Sequence, residues 1–379
     1  MKTIKYSALS SAVCIFACAV SMNTLALQLT GEAGYDSNPF ELSNPDSGDR
    51  YTAWRLYHKG ERSLANKQTL QYTGEAQARL YESQQDADQY QVKGRLRWIN
   101  RYRLGDKSAS LMVTGDWRSE RQTYFSVSQR GVAQTSAGDS LEDRFDYDSG
   151  KLSAEFTYRM TRRASVSLYG YIDHRNYVED YQSLGLESLD YTEFNLQPTL
   201  RYKSASGGYF RLFIYHKQRD YEDLRNDAMD GKNLDSVVRY DFNGIGLFAR
   251  QPLSSRWTAS FYGHAYNARD NAEGYRDLNY RKAEITLTYL SASQAQWQLV
   301  GDCYRRDYLE DSYRPPESET GDRGRLREGC SINASYERPL WNLEATTWQL
   351  KASHHYEDNS DDAFSFDRQT LSLGATYVF

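Results

Sequence analysis

The last thirteen residues, Asp367 to Phe379, read DRQTLSLGATYVF and leave the backbone little choice. Leu371, Leu373, Ala375, Tyr377 and Phe379 share one face of an extended strand, whereas Thr370, Ser372, Gly374 and Thr376 share the other. A helix would scatter both sets around its axis, because side chains alternate between faces only when the backbone is extended. The same period of two recurs along the chain, about one strand every 22 residues.

The apolar faces follow one another. Leu27, Leu29, Ala33 and Tyr35 open the series, then Leu70, Tyr72, Ala76, Ala78 and Leu80, then Tyr90, Val92, Leu96 and Trp98. Leu111, Val113 and Trp117 precede Leu152, Ala154, Phe156 and Tyr158, with Phe194, Leu196, Leu200 and Tyr202 and then Phe210, Leu212 and Ile214 beyond. Trp257, Ala259, Phe261 and Ala265 lead into Ala283, Ile285, Leu287 and Tyr289, and then into Trp297 and Leu299. Ile332, Ala334 and Tyr336, and Trp348, Leu350 and Ala352, complete the set. Weaker strands are expected near 51–60, 165–177 and 236–250.

The connectors alternate in length. Ser63–Gln68, Asn100–Lys107, Thr161–Ala164, Ser204–Gly208, Pro252–Ser255 and Ser291–Ala295 are short. Asp36–Asp49, Arg118–Asp143, Val178–Asp190, Glu222–Asp235 and Leu309–Arg325 are long, acidic and rich in Gly, Pro, Asn and Ser. Short turns at one end and long loops at the other, joined by strands that exceed the usual soluble ~5–6 residues, suit strands crossing a bilayer at a tilt. A soluble β-sandwich explains neither the alternation nor the aromatic carboxy-terminal residue.

With these residues in view, the chain resembles Gram-negative outer-membrane β-barrels, whose closing strand ends on an aromatic residue and is read by the barrel-insertion machinery. The resemblance implies an all-β fold: a transmembrane antiparallel up-and-down barrel of about 16 strands (14–18) occupying 27–379. It also implies contact with outer-membrane lipid and lipopolysaccharide. Residues 1–26 read as a signal peptide: Lys2 and Lys5, an apolar run from Ala8 to Val20, and the cleavage site Thr24-Leu25-Ala26. Phe16 is too bulky for lipoprotein cleavage before Cys18.

Composition agrees with a barrel. No apolar run reaches the ~18 residues of a spanning helix, and the mean hydropathy is −0.79. A barrel tolerates that value, because only alternate residues of each strand meet lipid. The 32 Tyr find places in interfacial girdles and in a ring-lined lumen. Loss of Lys2 and Lys5 with the leader takes the net charge from −5 to about −7, which speaks against a nucleic-acid partner.

The opposite parity faces the lumen. It carries Lys93, Arg95 and Arg97, with Glu75, Arg79 and Asp116 on adjoining strands, and further on Arg201, Lys203, Arg211, Lys217 and Arg219. At the bilayer midplane an Arg or Lys facing lipid costs ~2–4 kcal/mol, so these side chains must line water. They form either a hydrated wall neutralised across strands or a positive stripe selecting anions. Tyr169, Tyr171, Tyr209, Phe213, Tyr215, Tyr262, Tyr266 and Tyr304 share the inner parity and could stack on a sugar ring; near strand ends they could equally serve the girdle.

Cys303 and Cys330 stand on lipid-side parity, flanking one long loop, and are expected to form a disulfide. Closing that loop is worth roughly 3 kcal/mol in the chain-entropy model. It would hold Arg314-Pro315-Pro316 and Asp322–Arg327 near the mouth. The acidic stretches Asn44–Asp49 and Asp358–Asp362 do not match an EF-hand loop and read as solvated. Of the six His, His58, His174, His216 and His354 have outer parity, while His264 and His355 have inner parity. None stands beside a nucleophile motif, so neither catalysis nor a cofactor or metal is expected.

Two functions fit. One is a porin-like channel passing small hydrophilic solutes, anionic or saccharide, without an energy source or a plug. The other is an export barrel for polysaccharide or surface-lipoprotein assembly with a periplasmic partner. The segment Gly34-Tyr35-Asp36-Ser37-Asn38-Pro39-Phe40 is similar to the opening of barrels of that second kind, although the helical repeats usual there have no room before Leu27.

Overall fold

The computed structural model describes residues 25–379 except 43–44, 46–47, 65–66, 124, 127–130, 136, 179–183, 185, 228–232, 273–276, 310–325, 341–342 and 361–364. Most of the expected leader, Arg314-Pro315-Pro316, and parts of the two acidic stretches therefore lie outside the described residues. The strands are β1 (Leu25–Asp36), β2 (Asp49–Ser63), β3 (Gln68–Tyr81), β4 (Gln89–Leu104) and β5 (Lys107–Gln122). A minor hairpin, β6 (Phe125–Ser126) and β7 (Gly131–Val132), follows. The series resumes with β8 (Tyr147–Arg159), β9 (Ala164–Tyr177), β10 (Tyr191–Lys203), β11 (Tyr209–Asp227), β12 (Asn233–Pro252) and β13 (Trp257–Asp270). It ends with β14 (Leu278–Leu290), β15 (Gln296–Tyr308), β16 (Leu326–Leu340), β17 (Leu343–Asn359) and β18 (Phe366–Val378).

All strands but β6 and β7 form one closed barrel of 16 antiparallel strands in sequence order. The seam joins the two ends of the series. Leu29 lies opposite Tyr377 and Tyr35 opposite Leu371, and the Phe379 amide donates to the Leu27 carbonyl at 2.9 Å. Closure leaves no sheet edge with unpaired backbone groups, the condition a β-structure must meet to cross hydrocarbon.

The exposed apolar side chains lie almost entirely on the outer parity of the barrel strands. Leu152 is 58% exposed, Ile332 57% and Leu373 59%, and Leu96, Leu196, Ile214, Ile245 and Ile285 are similarly bare. A monomer in water does not keep such a belt around its whole circumference, so lipid must cover it. Near the short-turn end the outer face becomes aromatic. Trp257 lies tilted by Tyr289 at 4.8 Å and Trp297 by Tyr336 at 4.3 Å, while Tyr336 meets Trp348 edge-on at 4.9 Å and Tyr377 meets Phe379 edge-on at 4.6 Å. These pairs form a girdle across β13–β18 of the kind that settles at headgroup depth.

Local chemistry explains the short turns. Gly105 at φ 59° opens the two-residue turn between β4 and β5, a conformation that L side chains with a Cβ rarely adopt. Elsewhere a hydroxyl closes the turn: Ser204 Oγ accepts from the Gly208 amide at 2.8 Å, Ser291 Oγ from Ala295 at 2.9 Å, and Thr161 Oγ1 from Ala164 at 2.9 Å.

Three connectors differ from the sequence reading. β4 runs on to Leu104, so the turn shrinks to Gly105–Asp106 instead of Asn100–Lys107. β5 continues to Gln122, four residues past the expected start of the loop, and β6–β7 form a hairpin within it. β11 and β12 extend to Asp227 and back from Asn233 across a register shift, replacing most of the expected Glu222–Asp235 loop. The cause is common to all three. Backbone pairing runs on further than the apolar pattern that marks each strand, so the strand ends are set by the ladder rather than by the hydrophobic residues. The strands are accordingly 12 to 20 residues long.

Cys303 and Cys330 are directly opposed on β15 and β16, with a Cα separation of 4.1 Å, and are disulfide-bonded.

Candidate channel lumen

Strand parity places Lys93, Arg95 and Arg97 of β4 on the inner face, beside Glu75 of β3 and Asp116 of β5. Arg55 of β2 reaches Glu75 at 2.6 Å and Lys93 approaches the same carboxylate at 3.8 Å, while Arg95 pairs with Asp116. Arg97 has no carboxylate within ion-pair distance among the described residues, and its Nε finds no hydrogen-bond partner. The ladder is therefore paired at its outer rungs, where Lys93 and Arg55 share one carboxylate, and unpaired at the rung nearest the short turns.

The second cationic group divides in the same way. Glu193 of β10 is buried between Lys217 at 3.0 Å and Arg219 at 2.7 Å, and also accepts from the Tyr171 hydroxyl at 2.5 Å. Lower on the same strands, Arg201 pairs with Glu155, but Lys203 and Arg211 meet no carboxylate among the described residues. The Arg211 guanidinium lies over Phe213 at 5.3 Å and Phe248 at 5.7 Å. Near the outer mouth Arg368 grips Asp36 at 2.6 Å, and Arg327 binds Glu357.

The inner aromatics gather on β11–β15. Phe213 and Tyr215 of β11 lie across β12, where Gly246 and Gly244 take the facing positions. A Cβ on Gly246 would sit 2.0 Å from Phe213 Cζ, and one on Gly244 would sit 2.3 Å from Tyr215 Cε1. Those two glycines allow the rings to reach β13. There the Tyr215 hydroxyl and His264 Nε2 are 3.0 Å apart, and the series continues through Tyr266 and Tyr280 with centroids 4.8 Å apart, and to Tyr304 at 6.1 Å. Tyr262 flanks His264 at 6.0 Å.

Not every inner ring has a free face. Phe213 is only 7% exposed and serves as packing beneath its neighbours. Lys151 Nζ sits 3.4 Å over Tyr171, and Tyr169 leans on Tyr171 at 5.8 Å. Tyr209 packs near Phe248 at 5.9 Å. Tyr215, Tyr262 and Tyr266 remain partly open to the lumen.

The remaining arc is polar. That polarity is mixed: a cavity of ≈ 890 Å³ runs along it, lined by the amides of Gln28, Gln77, Gln91, Gln298, Asn333 and Gln349 and by Ser and Thr hydroxyls, with Glu32, Glu120, Glu337, Arg55, Arg79, Arg121 and Lys351 among them. Sequence reasoning singled out none of these amides. A lone amide carries no charge pattern, and only closure of β18 on β1 brings both ends of the chain to one surface.

No protein-family model matches this chain, and no curated protein matches it. Solved barrels do resemble it. OpdL of Pseudomonas aeruginosa is similar at 11% identity over 94% of this chain and 98% of that one, with a TM-score of 0.47. An anion-selective porin from Comamonas acidovorans shows 10% identity over 94% and 99%, with a TM-score of 0.47. A bacterial polysaccharide outer membrane secretin shows 9% identity over 94% and 99%, with a TM-score of 0.45. These likenesses are distant, and what the chain does is argued from its own residues.

Proposed function

We propose that this protein is an outer-membrane channel through which small hydrophilic solutes diffuse, with a preference for anions, including acidic saccharides. The single observation carrying this reading is the unpaired inner cations: Arg97, Lys203 and Arg211 face the lumen without a carboxylate within ion-pair distance among the described residues, whereas Lys93, Arg95, Lys217 and Arg219 above them are paired. Water and mobile anions must compensate them, and a fixed positive belt in a narrow lumen raises the local anion concentration. Amides on one arc and half-open tyrosines on another suit hydroxylated solutes. Insertion would depend on β18 and its exposed terminal Phe379.

The export reading keeps its resemblance in Gly34–Phe40, but that segment has a structural task of its own. Asp36 is clamped by Arg368 and accepts from the Tyr81 hydroxyl at 2.9 Å. The Asn38 side chain donates to the carbonyls of Leu42 at 2.7 Å and Asp367 at 3.0 Å, tying the first loop to the seam. The segment is thereby accounted for without an export partner.

Planar-bilayer recording of the purified protein tests the proposal. Defined conductance steps are expected, with a reversal potential in a KCl gradient displaced toward chloride. Arg97→Gln with Arg211→Gln should move that potential most of the way to neutral. A folded, heat-modifiable barrel that conducts nothing defeats the proposal.

A further inference from the structure

We propose that the short-turn mouth holds a capture site for ligands carrying several anionic groups, phosphate or carboxylate, which extends beyond Arg97 and Arg211 and shares only Lys203 with the unpaired cations named above. A cavity of ≈ 630 Å³ opens there, and no Asp or Glu is among its lining residues. Arg101, Arg103, Arg159, Arg201 and Lys203 reach it from the inner parity of β4, β8 and β10. Lys67, Arg162 and Arg163 close it from two neighbouring turns.

The hydrogen bonds these side chains make hold them in place without cancelling their charge. Arg159 Nη2 donates to the Arg162 carbonyl at 2.9 Å and its Nε to the Thr161 carbonyl at 3.3 Å. Arg201 uses one arm on Glu155 and the other on Thr157 Oγ1 at 3.4 Å. The cavity therefore gathers eight cations, of which only Arg201 has an ion pair, with Glu155, among the described residues. Crowding like charges opposes folding unless anions compensate them, and guanidinium forks match the oxygens of phosphate and carboxylate. Inner parity turns five of the eight toward the barrel axis, away from phospholipid headgroups.

The site opens among the short turns, which outer-membrane barrels direct to the periplasm, so it collects anions from that side; only that direction rests on the channel reading. The whole barrel in neutral detergent at about 0.1 M salt, where the Debye length is about 10 Å, should bind tripolyphosphate or a galacturonate trimer saturably by calorimetry. The two probes separate a phosphate from a carboxylated saccharide. Arg162→Ser with Arg163→Ser, in an exposed turn, should weaken binding about tenfold, equivalent to about 1.4 kcal/mol. Arg250→Gln with Arg256→Ser removes the same charge from the same end outside the cavity and should leave binding intact. Absence of saturable binding by both probes, or equal losses in the two double variants, overturns the site. A barrel that conducts with anion preference but binds neither probe refutes only this inference. One that binds but does not conduct refutes only the channel.

Discussion

The lumen has two walls built on different principles. On β2–β11 inner side chains are held by charge: Arg55 and Lys93 on Glu75, Arg95 on Asp116, Lys217 and Arg219 on Glu193. On β11–β15 they are held by shape, with Phe213 and Tyr215 laid over Gly246 and Gly244 and a file of rings running on to Tyr304. A charged wall depends on salt and on each partner being present. A ring wall depends on a surface that one methyl group can spoil. Perturbing one wall while the other serves as its control therefore separates the effect of charge from the effect of shape.

The largest effect is expected at Glu193. Its side chain is 8% exposed, and Lys217 and Arg219 are largely shielded as well. Glu193→Gln leaves two cations facing each other with little water, and breaking a buried pair typically costs ~3–5 kcal/mol. The urea midpoint at which the heat-modifiable folded form is lost should fall sharply. An unchanged midpoint would show that solvent reaches this cluster freely, and the two walls would then differ less than described.

Gly246 tests the ring wall. Gly246→Ala drives a methyl group into Phe213, and overpacking of this kind costs ~1–3 kcal/mol. Phe213→Leu in the same chain should recover much of the loss, because the clash is with the far end of that ring. The reversal potential of the assembled channel should stay where it was, since no charge has moved. Loss of anion preference in Gly246→Ala would mean that the ring wall also positions the cations, Arg211 over Phe213 being the contact to suspect.

How much of this was legible in the sequence follows from the same contrast. Period two placed Lys93, Arg95 and Arg97 opposite Glu75 and Asp116, because strict alternation fixes a residue's face before its neighbours are known. Strand ends were less legible. With β4 assigned to end near Asn100, Arg101 and Arg103 were turn residues, but the strand continues to Leu104 and carries both onto the inner face of the basic cavity. The ring wall was half visible: the aromatic parities stood out, but Gly244 and Gly246 add nothing to a hydrophobic pattern. Their importance comes from the absence of a Cβ under a ring on the next strand. Nor could parity show which ring faces are free, since Lys151 over Tyr171 is a cross-strand contact whose register had to be built first.

The smallest stability effect belongs to Glu75, and it divides the charged wall most finely. Arg55 and Lys93 are 47% and 42% exposed, so their pairing with Glu75 resembles a surface ion pair, worth ~0–1 kcal/mol. Glu75→Gln should barely move the urea midpoint, and any change should vanish at 1 M salt, where the Debye length is about 3 Å. Conduction should respond differently. Removing the one carboxylate that Arg55 and Lys93 share adds one net positive charge to the column that ends at Arg97, so the reversal potential in a KCl gradient should move further toward chloride. Stability and selectivity would then be carried by different carboxylates of one wall, Glu193 the buried and Glu75 the wet. If Glu75→Gln instead lowers the midpoint as much as Glu193→Gln, the pairs act as one coupled network and the positive charge of the lumen cannot be assigned rung by rung.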